Sequence, residues 1–461
     1  MKPLPLTDLL PVLNGKVVTG SRNFIVTDVK TKFKGLAPGT MVFDLNKKSL
    51  IYHNFKDYRK RIVIVTDKKA ETGAYGDYVI VIVKDVKKAL SSFISYYRRL
   101  FSIPVIGVTG TAGKTTTKEM LAHIFRGDRK VQCTYKSMNG MALNLKYLLG
   151  INNETGAAVI EMALTHPGNV RTSGKYFKPQ IGIITNIGTA HLETCGTLER
   201  YISAKSEMME ALDFRGTLLL NGDDDNIKKI DLSPYKGDVL YFGQSSGCEF
   251  LISNIQYKKK GMEFQLLNRV EETVYVPGYG EHNIYNATAA IAAAHLTGVD
   301  LGMCIKRIRS FVQMERHLSV ERGINGATII DDTWNSNPTS AIAALNVLMK
   351  LAEGKKTIAV FHKLQRLGSK MYEEHRKLGQ SIAENGIDLL ITVGKEAKSI
   401  GEAAKRAGMD PNKIFNVLAS AKLKKKLSLL ADENSTILIK MSLGKMDSSY
   451  RSVLKELKSS G

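Results

Sequence analysis

Val105-Ile106-Gly107-Val108-Thr109-Gly110-Thr111-Ala112-Gly113-Lys114-Thr115-Thr116-Thr117 is the stretch from which the fold can be read. Five apolar or β-branched residues enter a glycine-rich turn, and a helix-forming run leaves it. That is the context of a phosphate-binding loop: glycines let backbone N–H groups approach phosphate oxygens, and the helix N-terminus adds its positive end. Lys114 is placed to reach terminal phosphates, and the Thr115 hydroxyl suits Mg²⁺. Gly110, Thr111, Gly113 and Thr116 complete the candidate cradle. The spacing GxxxxGK[ST] is not met, because Val108 stands five positions before Gly113; the shorter GTxGKT form, Gly110 to Thr115, is present. A turn that only packs is the bland alternative. Strand, glycines, lysine and threonines in this order argue against it. A nucleoside triphosphate is therefore expected, and the loop alone does not say what its energy is used for.

Outward from this loop, apolar strands alternate with helical stretches, the mark of a mostly parallel α/β sheet covered by helices. Candidate strands are Val105–Val108, Ala157–Ile160, Ile181–Thr185 and Thr217–Leu220; residues 250–277 are more β-like, and an alanine-rich helix follows near Asn286–Leu296. Upstream, Ile62–Val65 and Tyr78–Val83 read as β-branched strands, and Ala89–Leu100 as a helical connector. Downstream of Gln313 a further alternating unit has strands at Thr328–Ile330, Thr357–Phe361, Leu389–Val393 and Thr436–Ile439, with Lys422–Lys426 as a solvated helix face. The fold class is α/β in three domains: a small N-terminal α/β domain (1–100), a central parallel-sheet domain with the phosphate loop (101–312) and a Rossmann-like C-terminal domain (313–461).

A chain of 461 residues with 43% apolar and 24% charged residues buries a core without staples. The cysteines, Cys133, Cys195, Cys248 and Cys304, form no CxxC pair, which excludes a disulfide scaffold and a thiolate zinc site. The N-terminus is a poor signal peptide, and no apolar run reaches the ~18 residues of a membrane span. A cytoplasmic monomer is the expectation. The net charge of +22 is the compositional oddity, and residues 1–100 hold 19 Lys and Arg against 8 Asp and Glu, half of that excess. Such a field attracts anions. Nucleic acid is not favoured, since the basic residues are dispersed and neither zinc-finger nor RNP-type spacing is present.

Two later strands run into candidates for the same site. Ala157–Ile160 runs into Glu161, and Ile181–Thr185 into Asn186, followed by Gly188-Thr189-Ala190-His191. Ligands of open α/β sheets sit at the carboxyl ends of strands, so Glu161 and His191 can converge on the phosphates. A carboxylate gives Mg²⁺ a hard oxygen; imidazole is a less usual Mg²⁺ ligand, and spacing leaves His191 open. His166 stays unassigned. Lys205, in a helical stretch, reads from its neighbours as a solvated lysine.

The segments GVTGTAGKTTTKEM, EMALTHPGNV, TNIGTAHLETCGTLERYISAKSEM, GEHNIYNATAAIAAA and IIDDTWNSNP together resemble the Mur ligases, ATP-dependent amide-bond ligases of peptidoglycan precursor synthesis. The resemblance spans essentially the whole chain. It is greatest toward the branch that adds D-alanyl-D-alanine to UDP-N-acetylmuramoyl-tripeptide, whose DDSYNANP signature is similar to Asp331–Pro338. It implies that Lys114 and Thr115 hold ATP phosphates and Mg²⁺, that Glu161 and His191 bind metal, and that Lys205 is carbamylated by CO₂ and helps hold a second Mg²⁺. It implies catalytic roles for Lys114, Lys205 and His191. It places Asn283 and Asn286 beside adenine, Arg316 facing the nucleotide, Asp332 on ribose, and Asn335 and Asn337 where the third domain closes over ATP. It gives residues 1–100 the UDP-sugar end of an anionic acceptor, a UDP-muramoyl-peptide or similar, with an amino acid or dipeptide as the incoming amine.

The departures from the family pattern lie away from ATP. An Asp-Ser-Arg before Pro-Gly reads Lys32-Phe33-Lys34; NNEIGVPL reads Met138 to Leu145; LGDMxELG reads Phe361 to Gly368, with Lys363 and Arg366 in place of acids; KGSRGM begins Lys440-Met441-Ser442-Leu443-Gly444-Lys445, losing an arginine. Exchanging acid for base beside a charged ligand alters preference. One alternative is thus a Mur-like ligase for a different anionic carboxylate outside the main peptidoglycan pathway. A second, of another class, is a non-catalytic nucleotide-binding protein whose basic face takes a polyanion.

Overall fold

The structure, a computed structural model, describes residues 1–46, 61–68, 78–190, 192–268, 271–442 and 448–459. His191, expected at the metal, and Leu443 to Lys445 lie outside the described residues. Among the described residues the architecture is mixed α/β with three principal sheets.

The first sheet orders its strands Lys16–Thr19, Tyr78–Ile82, Ile62–Thr66, Thr40–Phe43 and Asp28–Lys30, parallel except for the first. The β-branched runs at 62 and 78 are buried on both faces, as central parallel strands must be. Helix Val86–Arg99 begins at Asp85, whose carboxylate accepts from Lys87 and Lys88 N–H, so the first orphan donors are capped. The sequence suggested a mere connector here. Instead the helix docks the first sheet onto the next unit. Tyr97 Oη donates to Ile151 O at 2.8 Å and accepts from Lys2 N–H, and buried Arg98 donates to Phe177 O and Phe101 O. One apolar core accordingly runs without a break from Leu4 to Tyr235.

The second sheet runs Glu272–Pro277, Gly261–Leu267, Phe250–Lys258, Asp238–Gly243, Thr217–Asn221, Ile181–Ile184, Val105–Thr109, Thr155–Glu161 and Lys130–Cys133. Its last seven strands, from Phe250–Lys258 to Lys130–Cys133, are parallel, and Gly261–Leu267 and Glu272–Pro277 close one edge as antiparallel hairpins. Helix Lys114–Arg126 and the alanine-rich helix Glu281–Leu296 pack together over one face. The alanines explain that closeness: Ala287, Ala289, Ala290 and Ala292–Ala294 are all buried, and small side chains bring the backbones together.

The third sheet orders Ser319–Arg322, Thr328–Asp332, Ser435–Lys440, Lys356–His362, Leu389–Val393 and Ile414–Val417, parallel except at its first strand. Helix Pro338–Ala352 opens with a full capping box, Asn337 with Ser340, and with Pro338 at its first position. The Asn-Ser-Asn-Pro run after the acidic pair is thus a helix start. Strands at Lys130–Cys133, Asp238–Gly243 and Ile414–Val417 were not anticipated from the sequence; each is short and half-exposed, so its hydrophobic alternation is weak.

Candidate active site

The turn after strand Val105–Thr109 carries two glycines with positive φ, Gly110 at 146° and Gly113 at 79°. A Cβ on Gly110 would lie 2.0 Å from Thr185 Oγ1, and one on Gly113 2.2 Å from Asn286 Oδ1. Side chains are excluded because neighbouring elements clasp the turn. Thr185 Oγ1 donates to Ala112 O at 2.6 Å, Ala112 N–H donates to Asn186 Oδ1 at 2.9 Å, and Thr117 Oγ1 donates to Asn286 Oδ1 at 3.2 Å. Thr111 Oγ1 accepts from Gly188 N–H and lies 3.1 Å from Tyr201 Oη. A fixed cradle of backbone N–H groups results. Lys114 Nζ donates to Gly110 O and Thr111 O at 2.8 and 3.0 Å, and burial holds its pKa below the ordinary lysine value, with Glu161 opposing that shift and Arg366 adding to it.

Glu161 ends the neighbouring strand, its carboxylate level with the cradle. Oε2 accepts from Thr115 Oγ1 at 2.9 Å and Oε1 accepts from Asn139 Nδ2 at 2.6 Å. Hydroxyl and carboxylate oxygens thus converge beside the phosphate loop, the hard donor set that Mg²⁺ takes. Among the described residues no three His, Cys, Asp or Glu gather into a metal cluster, so such an ion would complete its shell with phosphate or water oxygens. Asn139 falls within a segment that departs from the family pattern, and its reach to Glu161 has no local sequence signal.

Lys205 corrects the reading drawn from its neighbours: it is 1% exposed, not solvated. Helix Leu198–Ser206 turns it inward, where Nζ donates to Thr109 Oγ1 at 3.1 Å and lies 5.3 Å from the centre of the Tyr201 ring. Burial first, and then the charge of Lys114, hold its pKa well below the ordinary value. His166 is exposed; its backbone N–H donates to Asn169 Oδ1 at 3.0 Å, and its ring Nδ1 lies 3.4 Å from Thr165 Oγ1.

A cavity of about 480 Å³ joins these groups to the third unit. Thr111 to Thr116, Glu161 and Lys205 line one wall; Asn283 and Asn286 line it from the alanine-rich helix; Asp332, Asn335 and Asn337 line it from the third unit. Asn283 Nδ2 donates to Pro277 O, so both asparagines also brace the backbone around the cradle. Asp332 is paired with Lys440 at 2.5 Å; burial raises its pKa and Lys440 opposes the shift. Close contact spans the units: a Cβ on Gly188 would lie 1.9 Å from Thr339 Oγ1.

Arg316 sits differently from the other predicted residues. It is not on the cavity wall. Its guanidinium donates to Thr333 O at 2.6 Å and to Thr333 Oγ1 at 3.1 Å, and stacks 5.0 Å from the Trp334 ring centre. His317, whose ring stacks on the same Trp334 with centres 5.4 Å apart, lines the cavity instead. Of the substituted acids, Lys363 pairs with Glu396 at 2.6 Å away from the wall, whereas Arg366 lines it. Lys32 and Lys34 do not line this cavity.

Comparison with known proteins agrees with this arrangement. Residues 108–294 match the Mur ligase middle domain, and residues 315–443 the glutamate ligase domain of Mur ligases, together about two thirds of the chain. The chain is 27% identical over 371 residues to the UDP-N-acetylmuramoyl-tripeptide–D-alanyl-D-alanine ligase of Bacillus subtilis, covering 80% of this chain and 79% of that one. It is 26% identical over 416 residues to the ligase of the same name from Escherichia coli, covering 88% and 89%. A crystal structure of MurF from Acinetobacter baumannii superposes with a TM-score of 0.83 at 25% identity, covering 100% of this chain and 99% of that one. A clasped phosphate loop, a carboxylate at its side and a third unit closing the same cavity thus sit in a chain that matches both domain models, and the protein belongs to the Mur ligase family of ATP-dependent amide-bond ligases.

Proposed function

We propose that this protein is the ligase that joins a D-alanyl-D-alanine-type dipeptide to the free carboxylate of a UDP-N-acetylmuramoyl-tripeptide. The observation that carries this reading is the shared cavity, in which Lys114, Thr115 and Glu161 of one unit face Asp332 and Asn335 of another. The similarity to ligases of that name over four fifths of the chain or more supports the substrate pair. Residues 1–100, with their basic excess, are assigned to the UDP end of the acceptor, residues 101–312 to ATP, and residues 313–461 to closing the site.

A carboxylate is a poor acyl donor because its leaving group would be oxide. Transfer of the γ-phosphoryl group to it gives an acyl phosphate; a neutral amine then attacks, and phosphate leaves. No protein nucleophile is needed, so positioning and electrostatics supply the rate. Lys114 neutralises charge spreading over the transferred group, and the N–H cradle fixes the phosphates in line. Thr115 and Glu161 would hold Mg²⁺, with His191 a further candidate ligand; the ion supplies charge neutralisation at the phosphates. The burial of Lys205 supports carbamylation, because CO₂ adds only to a neutral amine and burial favours that form. The carbamate is an oxygen donor facing the same cavity. Closure of the third unit, whose Thr339 already meets Gly188, would keep water from the acyl phosphate.

Acceptor-dependent phosphate release, measured over a panel of anionic carboxylates, tests this reading, with Lys114→Ala as the folded, silent control. Turnover with the muramoyl-tripeptide plus D-alanyl-D-alanine is the expected result. Arg366, a base where the family pattern has an acid, favours a second reading in which another anionic carboxylate is the acceptor. Turnover with that acid and none with the muramoyl-tripeptide would select it.

A further inference from the structure

Arginine is the usual side chain for gripping the oxygens of a transferring phosphoryl group, because its planar fork makes paired charged hydrogen bonds. The position at which the family resemblance implies a nucleotide-facing arginine, Arg316, is occupied otherwise here: Thr333 takes two of its donors and Trp334 its face. A different arginine stands on the cavity wall. Arg366 lies on the loop after strand Lys356–His362, lines the same cavity as Lys114, Thr115 and Glu161, and is near enough to influence both Lys114 and Tyr201 electrostatically.

The loop that bears Arg366 is built to hold it there. Leu364 N–H donates to buried His375 Nε2 at 3.0 Å, and Gln365 N–H donates to Ser336 O at 2.8 Å. Arg366 itself has a φ of 61°, a left-handed conformation that a non-glycine residue adopts only when its surroundings enforce it. Two residues on, Gly368 abuts the middle unit: a Cβ there would lie 3.3 Å from Glu193 Cα. The loop thus seats on the short helix Leu192–Cys195 at the edge of the phosphate site, and the arginine is delivered across the boundary between units.

We propose that Arg366 is a catalytic residue of this ligase, binding the terminal phosphate of the nucleoside triphosphate and stabilising that phosphoryl group as it passes to the acceptor carboxylate. The assignment rests on the ATP-dependent ligase reading, but its first test does not need the acceptor. Seating of the loop on helix 192–195 would then couple closure of the third unit to activation of the acid.

The experiment compares binding of the β,γ-imido analogue of ATP with binding of ADP, both with Mg²⁺, by calorimetry on the full chain. Wild type, Arg366→Gln, Arg366→Lys and Arg316→Gln are measured. Arg366 is exposed, and the melting temperature of each variant is measured beside wild type so that an effect on folding is separated from an effect on binding. Arg366→Gln should weaken the triphosphate analogue about tenfold or more and leave ADP within about twofold, as loss of a charged contact to one phosphate requires. Arg366→Lys should restore part of that preference. In turnover, Arg366→Gln should lower kcat about a hundredfold and leave the KM of the incoming amine unchanged. An unchanged triphosphate-to-diphosphate ratio would overturn the assignment, as would an equal loss for both nucleotides or a loss confined to Arg316→Gln. If the ratio depends on Arg366 while muramoyl-tripeptide gives no turnover, the acceptor reading fails and the arginine stands.

Discussion

Lys205 shows what a single position contributes once it is buried. A lysine 1% exposed, with the Thr109 hydroxyl as its hydrogen-bond partner, carries a charge at high cost, so the neutral amine is favoured. Lys205→Ala should cut turnover at least about a hundredfold if the carbamate stabilises charge developing at the reacting carboxylate. Added bicarbonate should not restore it, because the carbamate needs the amine. Near-normal turnover of that variant, measured as phosphate release, would remove the carbamate from the mechanism. Gly113 is the complementary case, where a missing side chain is the requirement. Gly113→Ala would put a methyl group 2.2 Å from Asn286 Oδ1 at a φ of 79°. We expect a stability loss of about 1–3 kcal/mol together with loss of nucleotide binding, read by thermal melting with and without ATP.

Elements are held by groups that touch no ligand. In helix Met371–Glu384 the ring of His375 is fully buried, with Nε2 accepting from Leu364 N–H and Nδ1 2.7 Å from Ser399 Oγ. Because an N–H points at Nε2, the proton must be on Nδ1, and the ring is neutral. Burial lowers its pKa to about 4 from 6.5. In the window between those values the unfolded chain binds the proton and the folded chain does not, so this contribution is complete above pH 6.5 and is lost as pH falls toward 4. The loss should approach roughly 3 kcal/mol at most. Denaturant titrations across that window should give a shallower pH slope for His375→Gln than for wild type, offset by a lower stability at neutral pH.

Across the whole molecule, the first two sheets share one apolar core, and specific hydrogen bonds tie them as well. Tyr97 links the chain start, the helix Val86–Arg99 and the middle unit through one hydroxyl, which accepts from Lys2 N–H and donates to Ile151 O, both at 2.8 Å. Its burial pushes the phenol pKa up to about 12. Tyr97→Phe leaves those buried backbone groups without their partner and should cost about 1–3 kcal/mol. Since one core spans both units, the loss should appear as a lowered midpoint of a single transition in chemical unfolding rather than as separate melting of the first sheet. No helix among the described residues is long and apolar enough to cross a membrane.

The order of strand, glycine turn and helix at 105–117 was legible because it is local: the backbone conformations that wrap a phosphate are written in consecutive residues. So were the buried β-branched strands, whose unbroken apolar runs need no partner to be recognised. Glu161 was legible as the end of such a strand. What the chain alone did not contain was distance. Lys205 looked solvated from its neighbours and is buried because Tyr201 and Thr109 close over it. Asn139 reaches Glu161, Thr333 and Trp334 take up Arg316, and Arg366 lines the same cavity as the phosphate loop, through folds that bring together residues tens to hundreds of positions apart. Local propensity sets which elements form, but burial and charge at a site are sums over neighbours that only tertiary packing assembles.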